Sequence, residues 1–295
     1  MFSTGNRKVT NDLWGKLLGL LAGLSIMILL GIFFFLLITS LGFFKQISII
    51  EFLFGSDWNP TAYSTPTWGI LALFAGTLLV SVASLALTIP ISMSIAIYLS
   101  QTASKKTRSF LKPVIELIAS IPSVVLGLIG ILFVVPAVAR IFNISDGFNA
   151  FSAAILITIT TIPAMASLSE DAISSVNKRF IEASLALGAS RWQTLTRVII
   201  PAAKQGLVAA IMLGLGRIVG ETMIVLMVAG NSKAFPRSFL DAVQPMTSTI
   251  AIEIKEAPAG GLHWQGLFAI AVVLFCFTFA INFLADLLIS KRIYK

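Results

Sequence analysis

The sequence predicts an all-α polytopic membrane protein with six transmembrane helices and with its N and C termini in the cytoplasm. Of its 295 residues, 57% are hydrophobic and only 12% are charged, which is far from the composition of soluble domains. Apolar runs long enough to cross a bilayer, about 17–25 helical residues, recur along the chain. The predicted spans are residues 17–41, 69–99, 114–139, 151–169, 206–230 and 264–289.

The distribution of basic residues predicts the orientation of these spans. Fifteen of the 21 lysines and arginines lie before the first span, after the second and fourth spans, and after the last one. Cytoplasmic loops carry an excess of lysine and arginine, so these four segments are predicted to be cytoplasmic. The net charge of +8 therefore reflects topology, and its spread over four segments argues against nucleic-acid binding. The fifteen residues are Arg7, Lys8, Lys16, Lys105, Lys106, Arg108, Lys112, Lys178, Arg179, Arg191, Arg197, Lys204, Lys291, Arg292 and Lys295.

The first apolar run is predicted to be a retained helix. Basic residues precede it, as they do in a signal peptide, but the run is longer than a typical signal-peptide core and no small-x-small cleavage site follows it. We therefore divide the chain into residues 1–68, an N-terminal transmembrane helix with an outer loop, and residues 69–290, a core of five transmembrane helices. The 69–99 run is too long for one upright helix, and Pro90 is predicted to kink or tilt it.

Metal and nucleotide sites are not predicted. Cys276 is the single cysteine and His263 the single histidine, so the chain has no disulfide framework and no histidine-based metal site. His263 is expected to be an interfacial neighbour of the aromatic residues at the outer edge of the last span. No G-x-x-x-x-G-K-S/T motif occurs, and we interpret Gly216 and Gly220 as a small-xxx-small pair for close helix packing. The sequence thus predicts no bound cofactor.

Two outer segments, residues 43–68 and 231–262, are longer than simple turns and contain tryptophans, prolines and glycines. Their composition is consistent with a cap over the helices or with a docking surface for an extracytoplasmic partner. The sequence leaves both interpretations open.

A cytoplasmic segment, Glu182–Pro201, has a helical pattern of its own. Apolar residues recur at helical spacing on both sides of Gly188, and Pro201 is predicted to end the second piece. We expect Trp192 and Leu195 to form an exposed apolar ridge. Such a pair of short helices could lie on the lipid surface, but a groove in a cytoplasmic partner is the better explanation.

This segment resembles the EAA loop of binding-protein-dependent ABC importer permeases, with Ser184 in place of the third alanine. The resemblance implies the type I importer (MetI-like) permease fold. It also implies that a cytoplasmic coupling loop, residues 171–204, docks into a cleft on an ATP-binding subunit. The residues predicted to couple the chain to that ATPase are Glu182, Ala183, Gly188, Trp192 and Pro201.

An arginine and a glutamate in the fifth predicted span are the second informative feature. Arg217 would lie near the middle of the span, with Glu221 one turn later on the same helical face. A charge at this depth costs about 2.5–3.5 kcal/mol on insertion scales, so the pair is either a tolerated ion pair or functional. A guanidinium can bind an oxyanion through parallel hydrogen bonds, and Glu221 could hold Arg217 or help to release the anion. The neighbouring Thr222 is a further candidate for the substrate pathway.

The stretch Gly216–Met223, followed by Val228–Asn231, resembles the phosphate-specific ABC transporter permeases. The stretch Phe52–Pro60 and the methionine that follows Gly-Glu-Thr favour the C-type (PstC-type) subunit. The resemblance implies that Arg217 and Glu221 are important for phosphate passage. It also implies a second, A-type (PstA-type) permease subunit, two ATP-binding subunits that hold ATP and Mg²⁺, and an extracytoplasmic phosphate-binding protein.

Other functions explain less of the sequence. An ABC permease for another oxyanion, such as molybdate or phosphonate, would explain the coupling loop but fits Gly216–Met223 less well. An ion-coupled secondary carrier would give the coupling loop no role, and such carriers often contain internal repeats, which we do not find. An intramembrane enzyme would need a paired nucleophile and base or a metal cluster. The resemblance therefore implies a transporter subunit of the bacterial inner membrane, and the residues predict no enzyme site.

Overall fold

The computed structural model describes residues 4–290, so the basic residues Lys291, Arg292 and Lys295 lie outside the described residues. The described chain is mostly helical, with three π turns and one two-stranded antiparallel hairpin. In chain order the elements are α1 Thr4–Phe44, α2 Ile49–Phe54, β1 Trp58–Asn59, β2 Thr67–Trp68, α3 Leu71–Ile97, a π turn Tyr98–Thr102, α4 Lys105–Ala119, α5 Ser123–Ile129, a π turn Gly130–Val134, α6 Val135–Phe142, α7 Ala150–Ser174, α8 Lys178–Ala186, α9 Arg191–Thr194, a π turn Leu195–Ile199, α10 Ile200–Gly220, α11 Met223–Val228, α12 Met246–Glu253 and α13 Leu262–Ser290.

Six helical stretches of the described chain are long and apolar enough to cross a membrane, which confirms the predicted number. The first, second, fourth and sixth begin and end within about five residues of the predicted bounds. The third and fifth begin or end elsewhere, and these differences matter for function. The six are Gly15–Phe44, Leu71–Thr102, Ser123–Phe142, Ala150–Ser174, Arg191–Gly220 and Leu262–Leu284.

The third span begins at Ser123 and not at residue 114. Residues 114–119 belong to α4, a separate amphipathic helix whose polar side chains contact α7. A turn at residues 120–122 separates α4 from α5, because a proline disfavours helical geometry in the residue before it and Pro122 has extended backbone angles (φ −59°, ψ 135°). The predicted run combined an interfacial helix with a transmembrane one.

The fifth span extends from Arg191 to Gly220, so the prediction that Pro201 ends a helix was wrong. A π turn lies directly before α10, and Pro201 occupies the first turn of α10, where a missing N–H is tolerated. The helix instead ends at Gly220, because Glu221 is extended (φ −67°, ψ 126°). Arg217 therefore lies in the last turn of α10, and Glu221 lies outside that helix.

Helix α7 lies at the centre of the packing, between α3, α4 and α10. α10 approaches it closely through glycine: a Cβ atom added at Gly206 would lie 2.5 Å from the Cβ of Ala172, and one at Gly214 would collide with Met165. Gly216 and Gly220 have no such neighbour, since nothing in the described chain lies within 4 Å of an added Cβ. Close packing of α10 through glycines was predicted, but at Gly216 and Gly220, whereas the contacts within this chain occur at Gly206 and Gly214.

The first outer segment forms a cap. Four aromatic side chains, Phe43, Phe52, Trp58 and Trp68, are buried and meet edge to face, and the two tryptophans are paired residues of the hairpin. They pack on the outer end of α13, which pairs along its length with α1. This cap fixes the outer ends of the first and last spans.

Candidate functional site: the coupling loop and the Arg217 cavity

The two predicted helical pieces of the cytoplasmic loop meet at a glycine, but only the first, α8, is a separate short helix, since the second is the start of the continuous fifth span Arg191–Gly220. α8 ends at Ala186, and Gly188 adopts a left-handed conformation (φ +83°), which favours glycine. α9 then begins with a capping box: the Ser190 hydroxyl accepts a hydrogen bond from the Gln193 backbone N–H (3.2 Å), and Gln193 Oε1 accepts one from the Ser190 N–H (2.8 Å). The loop thus has a defined shape before any partner binds.

The exposed apolar ridge of this loop differs in part from the prediction. Trp192 is exposed (70%), but Leu195 is buried (7%) in a cluster with Ile173 and Ile199. The other large exposed apolar side chains of the loop are Phe180, Leu185 and Leu187, of which Leu187 is the most exposed (90%). Leu195 instead packs inward, on the side of the helix that meets α7, and the π turn begins at this residue.

The remaining predicted coupling residues are accessible. Glu182, Ala183 and Pro201 are all exposed. A cavity of about 520 Å³ lies between this loop and the cytoplasmic end of α3, where Gln101 and Thr102 contribute to its wall. The loop therefore offers both a projecting tryptophan and an adjoining depression to a cytoplasmic partner.

Arg217 lies in the wall of a second, larger cavity, of about 680 Å³, inside the membrane-spanning part of the chain. The guanidinium makes no ion pair with any described residue, and its side chain is exposed to the cavity. The other lining residues are apolar except for one amide. The cavity is lined by Ala164, Ala209, Met212, Leu213, Gly216, Arg217 and Asn282.

Glu221 and Thr222 do not join Arg217 in this cavity. Glu221 Oε1 accepts a hydrogen bond from the Ile224 N–H (3.3 Å), and the Glu221 carbonyl accepts one from the Thr247 hydroxyl (3.0 Å). Thr222 donates to the Gly220 carbonyl (3.2 Å). The predicted Arg217–Glu221 pair on one helical face is therefore wrong, because the helix ends between the two residues.

Asn282 of α13 also lines this cavity, although the sequence did not predict it as a site residue. Its amide lies within an apolar membrane-spanning helix and makes no hydrogen bond to another described residue. Polar side chains within membrane spans are costly and usually face a cavity or a partner helix. The signal was present in the sequence as the only asparagine of the last span.

A buried carboxylate at the cytoplasmic end of α7 was also missed. Glu170 is fully buried (0% exposed); it forms ion pairs with Arg108 and Lys112 (2.8 Å for Lys112) and accepts a hydrogen bond from the Ser174 hydroxyl (2.8 Å). Asp171 lies 2.6 Å from the same lysine ammonium. Partial burial alone would lower the pKa of Lys112, but the two carboxylates outweigh it and raise the pKa above its ordinary value. This cluster fixes α4 to α7.

A second buried carboxylate joins the outer segments. Glu253 of α12 accepts a hydrogen bond from Trp58 Nε1 (2.9 Å) and lies 2.7 Å from both Lys233 Nζ and His263 Nε2. Burial alone would raise the pKa of Glu253, but these three partners outweigh it and lower the pKa below its ordinary value. His263 is therefore a partner of a buried carboxylate and not merely an interfacial neighbour of aromatic residues.

The chain is similar to known permeases over most of its length. The family described as the binding-protein-dependent transport system inner membrane component matches residues 88–294. The probable ABC transporter permease protein YqgH of Bacillus subtilis is 35% identical over 246 residues, which cover 83% of this chain and 79% of that protein. The phosphate transport system permease protein PstC of Haemophilus influenzae is 31% identical over 312 residues, 98% of this chain and 97% of that protein.

Solved structures support the fold. One chain of a bacterial alginate ABC transporter, in complex with its alginate-bound periplasmic protein, superposes with a TM-score of 0.66 at 17% identity and covers 99% of both chains. A chain of the inward-facing MetNI methionine ABC transporter gives a TM-score of 0.57 at 20% identity, over 73% of this chain and 92% of that one. With this fold, these matches and six apolar spans, the chain belongs to the family of binding-protein-dependent transport system inner membrane components.

Proposed function

We propose that this chain is the permease subunit of an ATP-driven importer that moves inorganic phosphate across the bacterial inner membrane. The observation that carries the proposal is the side chain of Arg217, which faces a cavity within the membrane and has no carboxylate partner among the described residues. An unpaired guanidinium on an apolar membrane-spanning helix is costly, so a functional partner would explain it. The relatives named as phosphate permeases support phosphate as that partner.

The chemistry of the cavity suits a transient oxyanion site. A guanidinium binds phosphate oxygens through two parallel charge-assisted hydrogen bonds, and apart from Asn282 the other lining residues are apolar, so few groups compete for the anion. Asn282 would add a neutral donor and acceptor. Because Arg217 is the only cation that lines the cavity among the described residues, the anion would be held weakly enough to leave again, which transport requires.

ATP hydrolysis would be supplied by separate cytoplasmic subunits that hold ATP and Mg²⁺. In this proposal Trp192 and the exposed face of Glu182 and Ala183 dock into a cleft of the ATP-binding subunit, and Gly188 and Pro201 preserve the shape of the loop. The span from Arg191 to Gly220 is continuous, and Arg217 follows Trp192 by 25 residues, about 38 Å along a helix. A displacement of the loop would therefore reach the cavity through one helix.

The remaining partners follow from the same proposal. A second permease subunit of the A type would complete the pathway, and Glu221 and Thr222 would act near its outer end by holding the break between α10 and α11. A phosphate-binding protein would deliver the substrate from outside. No cofactor is proposed for this chain itself.

Uptake of radiolabelled phosphate by cells that carry wild type, Arg217→Gln or Arg140→Gln tests the proposal. Arg140 is an exposed arginine at the end of α6, so its replacement removes the same charge outside the cavity. We expect Arg217→Gln to abolish uptake at unchanged protein level and Arg140→Gln to retain it. Normal uptake by Arg217→Gln would refute the role of the arginine. Stronger inhibition of wild-type uptake by molybdate than by unlabelled phosphate would favour an importer for another oxyanion.

A further inference from the structure

Helix α4 is oriented with its polar face toward the protein. Arg108 and Lys112 contact Glu170 and Asp171 of α7. One turn further along, Glu116 Oε1 accepts a hydrogen bond from the Ser167 hydroxyl (3.1 Å). Because these contacts occur at i, i+4 and i+8 of α4, they fix the rotation of the helix about its axis.

The opposite face of α4 is apolar and exposed. Phe110, Val114 and Leu117 follow one another at helical spacing and are 70%, 40% and 66% exposed. The band continues past the turn at Pro122 onto α5, where Val124 and Leu128 are also exposed. Since α5 begins a membrane-spanning stretch, the apolar band of α4 is continuous with a surface that lies in the membrane.

Two lysines stand at the cytoplasmic end of this band. Lys105 and Lys106 form the first turn of α4, are exposed, and have no ion pair among the described residues. Lys106 lies one turn before Phe110 on the apolar face, and Lys105 lines a cavity of about 370 Å³ together with Arg108, Ser109, Lys112, Pro113 and Glu116. Arg108 and Lys112 are already neutralised by Glu170 and Asp171, and Glu116, a carboxylate without an ion pair among the described residues, lies almost three turns further along α4. The uncompensated positive charge therefore comes from the lysine pair and the helix N-terminus, at the cytoplasmic end of α4.

We propose that α4 binds an anionic phospholipid of the cytoplasmic leaflet. Its phosphate would lie at Lys105, Lys106 and the Ser109 hydroxyl, and an acyl chain would lie along Phe110, Val114 and Leu117. The arrangement of side chains along α4 supports a lipid over a protein partner. The cations lie at the cytoplasmic end of the helix, and the apolar side chains follow toward the membrane, as the headgroup and acyl chain of a phospholipid do. A free anion would explain the cations but not the exposed apolar band.

Photo-crosslinking in the assembled importer tests this proposal. p-Benzoylphenylalanine replaces Leu117 in the full chain, expressed with its partner subunits in native membranes, and the adduct is identified by mass spectrometry. We expect a phospholipid adduct in which anionic headgroups are enriched at least fivefold over their share of the membrane lipid. An adduct with another protein subunit would show that a protein covers this face and would overturn the proposal.

The headgroup assignment has its own matched control. Lys105→Gln with Lys106→Gln should abolish the enrichment of anionic lipid in the adduct. Lys45→Gln with Lys255→Gln removes two exposed lysines from the outer side and should leave the enrichment unchanged. Equal enrichment in both double variants would overturn the assignment, and thermal unfolding of each purified importer distinguishes loss of lipid from loss of fold. The crosslinking result does not depend on phosphate uptake, so a negative result would refute lipid binding and leave the proposed substrate unaffected.

Discussion

The close contact between α10 and α7 at Gly206 gives a prediction whose magnitude follows from the structure. In Gly206→Ala the new Cβ would lie 2.5 Å from the Cβ of Ala172, whereas ordinary contact begins at 3.4 Å. The two helices must therefore separate by about 0.9 Å, since an alanine has no side-chain torsion that could relieve the clash. Overpacking of this kind costs about 1–3 kcal/mol.

The matched control is Gly216→Ala in the same helix, where an added Cβ meets nothing within 4 Å. Both variants gain up to about 1 kcal/mol of helix propensity, so the difference between them isolates the clash. In thermal unfolding of the purified chain we expect Gly206→Ala to melt below Gly216→Ala, by about 2–4 °C for each kcal/mol. Equal melting temperatures would refute the close packing of α10 on α7.

Three further predictions concern the coupling loop and the two buried carboxylates. Trp192→Asp should abolish copurification of the ATP-binding subunit without lowering the melting temperature, whereas Leu195→Asp, at a buried position, should lower the melting temperature itself. Because the pKa of Glu253 is lowered in the folded chain, its stabilising contribution is present above the ordinary glutamate pKa and is lost as the pH falls through the lowered value. The difference in melting temperature between wild type and Glu253→Gln should therefore be largest at neutral pH and should disappear at acid pH. Glu170→Gln should cost about 1–2 kcal/mol of unfolding free energy, because Lys112 is partly exposed and can recover hydration; an unchanged melting temperature would contradict the buried cluster.

The sequence predicts the number and order of the spans because long apolar runs have few alternatives to crossing a bilayer. It predicts their boundaries less well where two helices of different type follow one another. Hydropathy cannot separate α4 from α5, since the polar residues of α4 face inward toward Glu170 and its outer face is as apolar as a span. The predicted start of the third span was therefore wrong because it depends on the direction in which the polar side chains of α4 point, and the composition of the run does not reveal that direction.

The Arg217–Glu221 prediction failed for a different reason. A four-residue spacing places two side chains on one face only if the helix continues through both, and here it ends at Gly220. Asn282 and Arg217 line the same cavity although they are 65 positions apart in the chain. Such a pairing depends on helix packing, which has no local signature in one sequence, and the same holds for Trp58 with Glu253.

The contacts of α7 indicate how a displacement of the coupling loop would act on the cavity. α10 is held against α7 at Gly206 and Gly214, and the Glu170 cluster holds α4 against the same helix, so these helices are expected to move as one unit. α13 packs mainly on α1, has fewer contacts with α12 and α10, and contributes Asn282 to the wall of the cavity, so we assign it to a second unit. Arg217 and Asn282 therefore lie on different units, and movement of one unit against the other would separate the two polar groups proposed to hold the anion.

If this mechanism is correct, Gly206→Ala should reduce phosphate transported per ATP hydrolysed more than it reduces ATP hydrolysis itself, because it loosens the contact between α7 and α10 and leaves Trp192 unchanged. A proportional loss of both activities would mean that the α7–α10 contact serves stability alone.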